Sequence, residues 1–233
     1  MIYIPFLNES VVVNTVIYSV MKFQDSFYSR LLLLSDRENQ QFPPNELPEE
    51  YRRAAILIPL WPENDGSVKV AFTQRTEKLP SHKGQVSFPG GAMLPEDESQ
   101  EMTALRETHE EMGIDPDKVT VMGRLDDAWS RYGFHIVPYV GWFESKPEFT
   151  PDYNEVAGIL VANVETLMLP DSSCLHNYSV DGVTRQSQAF RWDEGYVWGL
   201  TADILLEMLL WINGEESNRR DARLKALRSF ILK

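Results

Sequence analysis

FPGGAMLPEDESQEMTALRETHEEMGI, from Phe88 to Ile114, is the stretch that decides how the rest of the chain is read. Pro95 followed by Asp97 and Glu98 is a helix start, because proline fits a first turn and acids favour the positive end of a helix. Gly113 is the matching stop. Between them Glu107, Glu110 and Glu111 stand at i, i+3 and i+4, which at about 100° per residue puts three carboxylates on one narrow face. Met102, Leu105 and Met112 fall opposite and are expected to pack on a sheet. Three neighbouring negative charges repel one another unless something positive joins them. A hard divalent cation such as Mg2+ prefers such oxygen ligands and leaves positions for water and phosphate oxygens. Arg106, one turn before Glu110, is placed to restrain a carboxylate without competing for the metal. Phe88-Pro89-Gly90-Gly91 lets the chain turn sharply after a strand and brings backbone carbonyls, that of Gly91 included, toward the same face. An acidic helix face alone is most often solvated surface. What makes this one specific is the company of Gly91, Arg106-Glu107, Glu110-Glu111 and Gly113-Ile114.

Working outward, Ala54 to Leu60 reads as a buried strand and Val68 to Gln74 as a second, with Asn64-Asp65-Gly66 supplying hairpin turn chemistry between them. Val86 to Phe88 is a short strand leading into the glycines. Val119 to Leu125, His135 to Phe143 and Gly158 to Ala162 read as further strands. Tyr196 to Ile212 is an apolar-periodic run ended by Asn213-Gly214, and Glu215 to Leu232 is charged and amphipathic, so the last 40 residues are expected to be helical. Residues 1–38 mix Val11-Val12-Val13 with a more helical Leu31 to Leu34 and read as an N-terminal elaboration. The polar stretch from Gln40 to Asn45 breaks regular structure, so the main fold is expected over 39–214, with 215–233 as a helix packed on the same domain. Strands around a central helix, with more helix at the end, indicate an α/β fold in which a mixed sheet lies between helices.

Composition sets outer limits. A chain of 233 residues with 43% hydrophobic content buries a substantial core and suits one domain with terminal additions. A formal net charge of -13 argues against nucleic acid as a partner, since phosphate neutralisation needs clustered Lys and Arg. Any phosphate site must be local. One cysteine, Cys174, leaves no internal disulfide and no cysteine-pair zinc site, and a reducing cytosol is the default compartment. Asn8, Glu9 and Asn14 interrupt the apolar opening, which makes a poor signal peptide, and no stretch reaches the length of a membrane span. A soluble cytoplasmic protein without membrane partners is the expectation; a homodimer stays open.

The constellation around Gly91, Arg106-Glu107 and Glu110-Glu111 resembles the Nudix box. It departs from the usual pattern by one inserted residue between Gly91 and Arg106. That insertion, with Asp97 just after Pro95, is similar to the coenzyme A diphosphatase branch. So is the run Thr73-Gln74-Arg75-Thr76-Glu77-Lys78-Leu79-Pro80-Ser81-His82-Lys83-Gly84-Gln85-Val86-Ser87-Phe88-Pro89-Gly90-Gly91, which departs at Thr76, where serine or alanine is usual, and at Pro80, where arginine is usual. Downstream, Gly123-Arg124-Leu125-Asp126-Asp127, Gly133, Pro138 and Trp198-Gly199-Leu200-Thr201-Ala202-Asp203-Ile204-Leu205 look like the same branch. The resemblance runs from about Tyr51 to Ile212.

The resemblance implies a Nudix fold and hydrolysis of the diphosphate of coenzyme A to phosphopantetheine and adenosine 3',5'-bisphosphate, assisted by Mg2+ or Mn2+. By position Glu107 and Glu111 would be the principal metal ligands, and Glu110 would complete the site or anchor Arg106. Gly91 would add backbone, and Glu155 resembles a later glutamate that some Nudix enzymes bring to the metals. Glu107 is the first candidate for general base if it is not a ligand, with Glu110 and Arg106 as its catalytic neighbours. Substrate contacts are expected from Arg75, His82 and Lys83, local cations against a negative field, and from Gln85 and Ser87 on the strand before the glycines. Trp129, Arg131 and Tyr132 are candidates for stacking and charge around an adenine. The alternatives are a Nudix hydrolase of another nucleoside diphosphate derivative, such as ADP-ribose, and a non-catalytic nucleotide-binding regulator.

Overall fold

Ala54 to Leu60 is apolar at every position, a pattern that suits a strand covered on both faces rather than one facing water. In the computed structural model, which describes residues 23–38, 51–77, 84–180 and 182–215, this run is the middle of the central strand β1 (Arg52–Pro62). The Asn64-Asp65-Gly66 turn returns the chain antiparallel as β2 (Val68–Arg75), pairing Leu60 with Val70 and Pro62 with Val68. On its other edge β1 runs parallel to β7 (Phe134–Trp142), from Arg52 opposite Phe134 to Leu60 opposite Trp142. A mixed sheet of eight strands results, in the order β3-β2-β1-β7-β5. Here β3 is Val86–Ser87 and β5 is Thr120–Arg124. β4 (Gly90–Ala92) joins β1, β6 (Ala128–Ser130) joins β7, and β8 (Val156–Asn163) joins β2.

One feature of this sheet positions the site. β2 stays paired with β1 only near Leu60–Pro62, while β4 takes the same edge of β1 at Ala54–Ile56. Beyond the split, β2 pairs with β3 and β8 instead. The Phe88-to-Gly91 segment therefore crosses a gap between two strands that have parted, with Leu57 N–H donating to Pro89 O at 3.0 Å.

Helices cover both faces, as expected. α2 (Gln100–Met112) lies on one: Ala104 packs with Ala55 and Leu57, and Met112 with Trp61, Ala71 and Phe143. The other face carries residues 23–32 (α1) and α4 (Leu200–Ile212). There Phe27, Leu31, Leu34, Leu205 and Met208 join Ile58, Leu60, Val70 and Phe72 in the largest apolar cluster. The Leu31–Leu34 run is thus part of the main core. Among the described residues no helix is long and apolar enough to cross a membrane.

The structure corrects several expectations. α2 starts at Gln100, with Ser99 as its cap accepting from Met102 N–H at 3.1 Å; Pro95 and Asp97 precede it, and Asp97 is used elsewhere. Met102 is 45% exposed, while Thr103, Ala104 and Thr108 are buried in its place. The two threonine hydroxyls are satisfied there, Thr103 donating to Asp97 and Thr108 to Ala104 O. Tyr196 to Trp198 is not helical but belongs to β11 (Gly195–Trp198). After the one-turn α3 (Val164–Leu167), β11 completes a separate three-stranded antiparallel sheet with β9 (Ser173–Val180) and β10 (Val183–Trp192). Val11–Val13, Gln40–Asn45 and the amphipathic stretch after Glu215 lie outside the described residues.

Candidate active site

Arg106 is the electrostatic hub. Its guanidinium donates twice to Asp97, through Nε and Nη2 at 3.0 Å each, and once each to Glu107 at 3.0 Å, Glu110 at 2.9 Å and Ala92 O at 3.1 Å. A two-point grip on a carboxylate is the strongest arrangement this side chain makes, so Asp97, more than Glu110, fixes Arg106. The guanidinium beside Asp97, with Leu94 N–H and Thr103 Oγ1, holds that carboxyl down at about 2 despite its burial. Sequence reasoning anticipated the Arg106–Glu110 pair and missed this role of Asp97. The available signal was an acid one residue after Glu96, at the helix entry, with a threonine six positions on.

Glu107 and Glu111 occupy different depths on the helix. Glu111 is 9% exposed and takes a hydrogen bond from Thr73 Oγ1 at 3.4 Å. Burial first, and the neighbouring Glu107 charge second, push its carboxyl up to about 8; Arg75 offsets this only in part. No salt bridge reaches Glu111 among the described residues. Glu107 is half-buried and its carboxyl is also raised, chiefly by burial, with Arg106 opposing and Glu110 and Glu155 adding to it. Glu110 is the exposed member, its side chain 55% accessible and turned to Arg106. The three carboxylates thus run from buried to solvent rather than sharing one exposed face.

Gly91 explains why a side chain is absent beside them. A Cβ there would lie 2.5 Å from the Glu107 carboxylate, so a side chain at this position would displace that acid from the β4 backbone. The arrangement therefore sets two carboxylates, one buried without an ion pair, against the backbone of Gly90 and Gly91 at the split in the sheet. Among the described residues no group of three or more His, Cys, Asp and Glu side chains forms a ready-made metal cage. The donor set still fits a hard divalent cation, because such ions take few protein carboxylates and complete their shell with water and substrate phosphate oxygens. Glu155 is exposed and close enough to raise Glu107.

The expected substrate residues divide. Arg75 ends β2 half-buried, acts electrostatically on Glu111 rather than standing free in solvent, and has its Nε buried without a hydrogen bond. Gln85 lines a large open cleft shared with Gln74, Trp192 and Tyr196. Ser87 lines a smaller apolar cavity on the α4 face, which Tyr132 also lines. His82 and Lys83 lie outside the described residues. Trp129 is no open stacking platform: it is 6% exposed, its ring 4.6 Å from that of His135 and 5.5 Å from that of Tyr51. The apolar cavity was not foreseen, because its wall gathers β1, β3, β4, β6, β7 and α4.

The NUDIX domain family matches residues 50–173. Nudix hydrolase 15, mitochondrial, of Arabidopsis thaliana is 34% identical over 172 residues, covering 70% of this chain and 60% of that protein. The uncharacterized Nudix hydrolase NudL of Pectobacterium atrosepticum is 35% identical over 179 residues, covering 74% of this chain and 90% of that one. A solved MutT/nudix family protein from Enterococcus faecalis is 17% identical, covers 75% of this chain and 71% of its own, and superposes with a TM-score of 0.47. The family match, spanning more than half the chain and containing Asp97, Arg106, Glu107, Glu110 and Glu111, makes this chain a member of the Nudix hydrolase family.

Proposed function

We propose that this Nudix hydrolase cleaves the diphosphate bond of coenzyme A or acyl-coenzyme A, releasing phosphopantetheine and adenosine 3',5'-bisphosphate, with Mg2+ or Mn2+ as cofactor. One observation carries the reading. The stretch from Thr73 to Gly91, which resembles the coenzyme A diphosphatase branch, begins and ends on the candidate catalytic acids: Thr73 Oγ1 bonds Glu111, and Gly91 abuts Glu107.

In this reading Glu107 and Glu111 hold the cation, with Gly91 and Glu155 able to add oxygen ligands. When bound, the cation neutralises charge developing on the diphosphate and lowers the pKa of a water. Asp97 and Arg106 position the helix acids: Arg106 restrains Glu107 and Glu110 while Asp97 holds Arg106. Glu107, half-buried with a raised carboxyl, is the side chain suited to accept a proton from the attacking water where it is not itself a ligand. Arg75, His82, Lys83, Gln85 and Ser87 are the proposed substrate contacts.

A substrate panel with Mg2+ tests this. Coenzyme A should be hydrolysed with a higher kcat/KM than ADP-ribose or NADH, with the two products resolved by chromatography. Release of AMP from ADP-ribose at an equal or greater rate would overturn the substrate and leave the hydrolase standing.

A further inference from the structure

The apolar cavity on the α4 face touches the candidate active site through Gly90, which lines the cavity and is followed by Gly91, whose backbone abuts the Glu107 carboxylate. Its volume is about 260 Å³, and its wall sets Tyr132 and Phe134 beside the hydroxyl-bearing Ser87, Ser130 and Thr201, with no charged residue. Whole small-molecule sites run from roughly 300 to 1,000 Å³, so this recess suits one part of a larger substrate.

Charge is found outside the two aromatic rings. The Arg52 guanidinium lies 4.2 Å from the centroid of Phe134, and that of Arg131 lies 4.9 Å from the centroid of Tyr132 while donating to its hydroxyl at 2.7 Å. Arg52 and Phe134 are register partners across β1 and β7, which puts the guanidinium on the sheet face that the cavity occupies. Both arginines are exposed, and neither has an ion pair among the described residues. In a chain of net charge -13, two unpaired guanidiniums over the rings of one uncharged recess form a local positive rim.

The ligand half that matches is flat and uncharged where it enters and anionic where it emerges. Guanidinium groups bind phosphate oxygens through paired N–H donors, and an uncharged wall would reject a phosphate at its floor. We propose that this cavity receives the adenosine half of the substrate and that Arg52 and Arg131 bind its 3'-phosphate, which makes them specificity-determining residues. The inference rests on the coenzyme A reading. The pantetheine half carries no second anion and would leave both cations unused.

The test compares coenzyme A with dephospho-coenzyme A, which lacks only the 3'-phosphate, in the wild type and in the double variant Arg52→Gln/Arg131→Gln. The wild type should prefer coenzyme A in kcat/KM by on the order of 10-fold, and the double variant should bring that ratio close to one. Calorimetry without metal should show the same pattern in binding, with adenosine 3',5'-bisphosphate favoured over AMP by the wild type and not by the variant. A wild type that turns over both compounds equally, or a variant that keeps the wild-type ratio, overturns the phosphate site and leaves the coenzyme A reading intact. A wild type that hydrolyses neither compound overturns that reading and this inference with it.

Discussion

Two of the buried carboxylate groups among the described residues are treated in opposite ways. On the α4 side, Arg37, just after α1, reaches Glu207 at 2.9 Å and Asp126 at 3.4 Å, while Asp126 N–H donates to Glu207 at 2.9 Å. All three side chains are at most 8% accessible, so an internal cation ties two acids from separate elements. On the α2 side, Arg106 is occupied by Asp97, Glu107, Glu110 and Ala92 O, and its hydrogen bonds stop short of Glu111. Yet Glu111 is buried to a similar degree. A buried charge is tolerated when it is paired and is costly when it is not. The first group is therefore part of the fold, and the second holds a buried acid, Glu111, that no salt bridge reaches among the described residues.

The largest effect that separates them is on stability. Arg37→Met removes a buried cation that Asp126 and Glu207 share and should cost about 3–5 kcal/mol in urea unfolding, with the turnover of the folded fraction changing little. A loss below about 1 kcal/mol would mean that charge matching is not what distinguishes the two groups.

A smaller effect belongs to Asp97, which acts within the site. Asp97→Asn should destabilise by about 2 kcal/mol, because it weakens the charged grip on Arg106. Turnover should fall as well, through Glu107 and Glu110 losing their fixed partner. The pH dependence has a definite sign. The folded carboxyl is depressed from 3.8 to about 2, so its contribution is fully present above 3.8 and is lost as pH falls through about 2. Stability curves of wild type and variant should converge over that window. Convergence at higher pH instead would assign the effect to another group.

These contrasts were only partly legible in the sequence. The β1–β2 hairpin was, because Asn64-Asp65-Gly66 is a local turn signal between two apolar runs, and so was the end of α2, because Gly113 caps it with its N–H on His109 O. β4 was not: Gly90-Gly91-Ala92 has no strand propensity, and its strand geometry comes from pairing with β1 after β2 has turned away. The β9–β10 hairpin was also missed, although Asp181-Gly182 between two alternating stretches was a usable sign. Three acids on one arc of α2 could be read from spacing. Which of them would be buried could not, because that depends on Thr73 and Gly90 arriving from other strands. Met102 shows the same limit in reverse, an apolar residue left exposed because the sheet meets Thr103 and Ala104 instead.

The proposal that Glu111, buried and without an ion pair among the described residues, receives a cation is tested most directly by melting of the wild type and Glu111→Gln with chelator and with Mg2+. Raising the carboxyl from 4.5 to about 8 means that the folded state holds a proton more tightly than the unfolded one. Metal-free stability therefore falls as pH rises between those values. At pH 8 in chelator the variant, which cannot ionise there, should be at least as stable as the wild type. Mg2+ at a hundredfold excess over its Kd should then stabilise the wild type by about 2.7 kcal/mol, a rise of roughly 5–10 °C in Tm, and the variant by much less. An equal Mg2+ shift in both proteins, or a variant clearly less stable than wild type in chelator, would contradict the account.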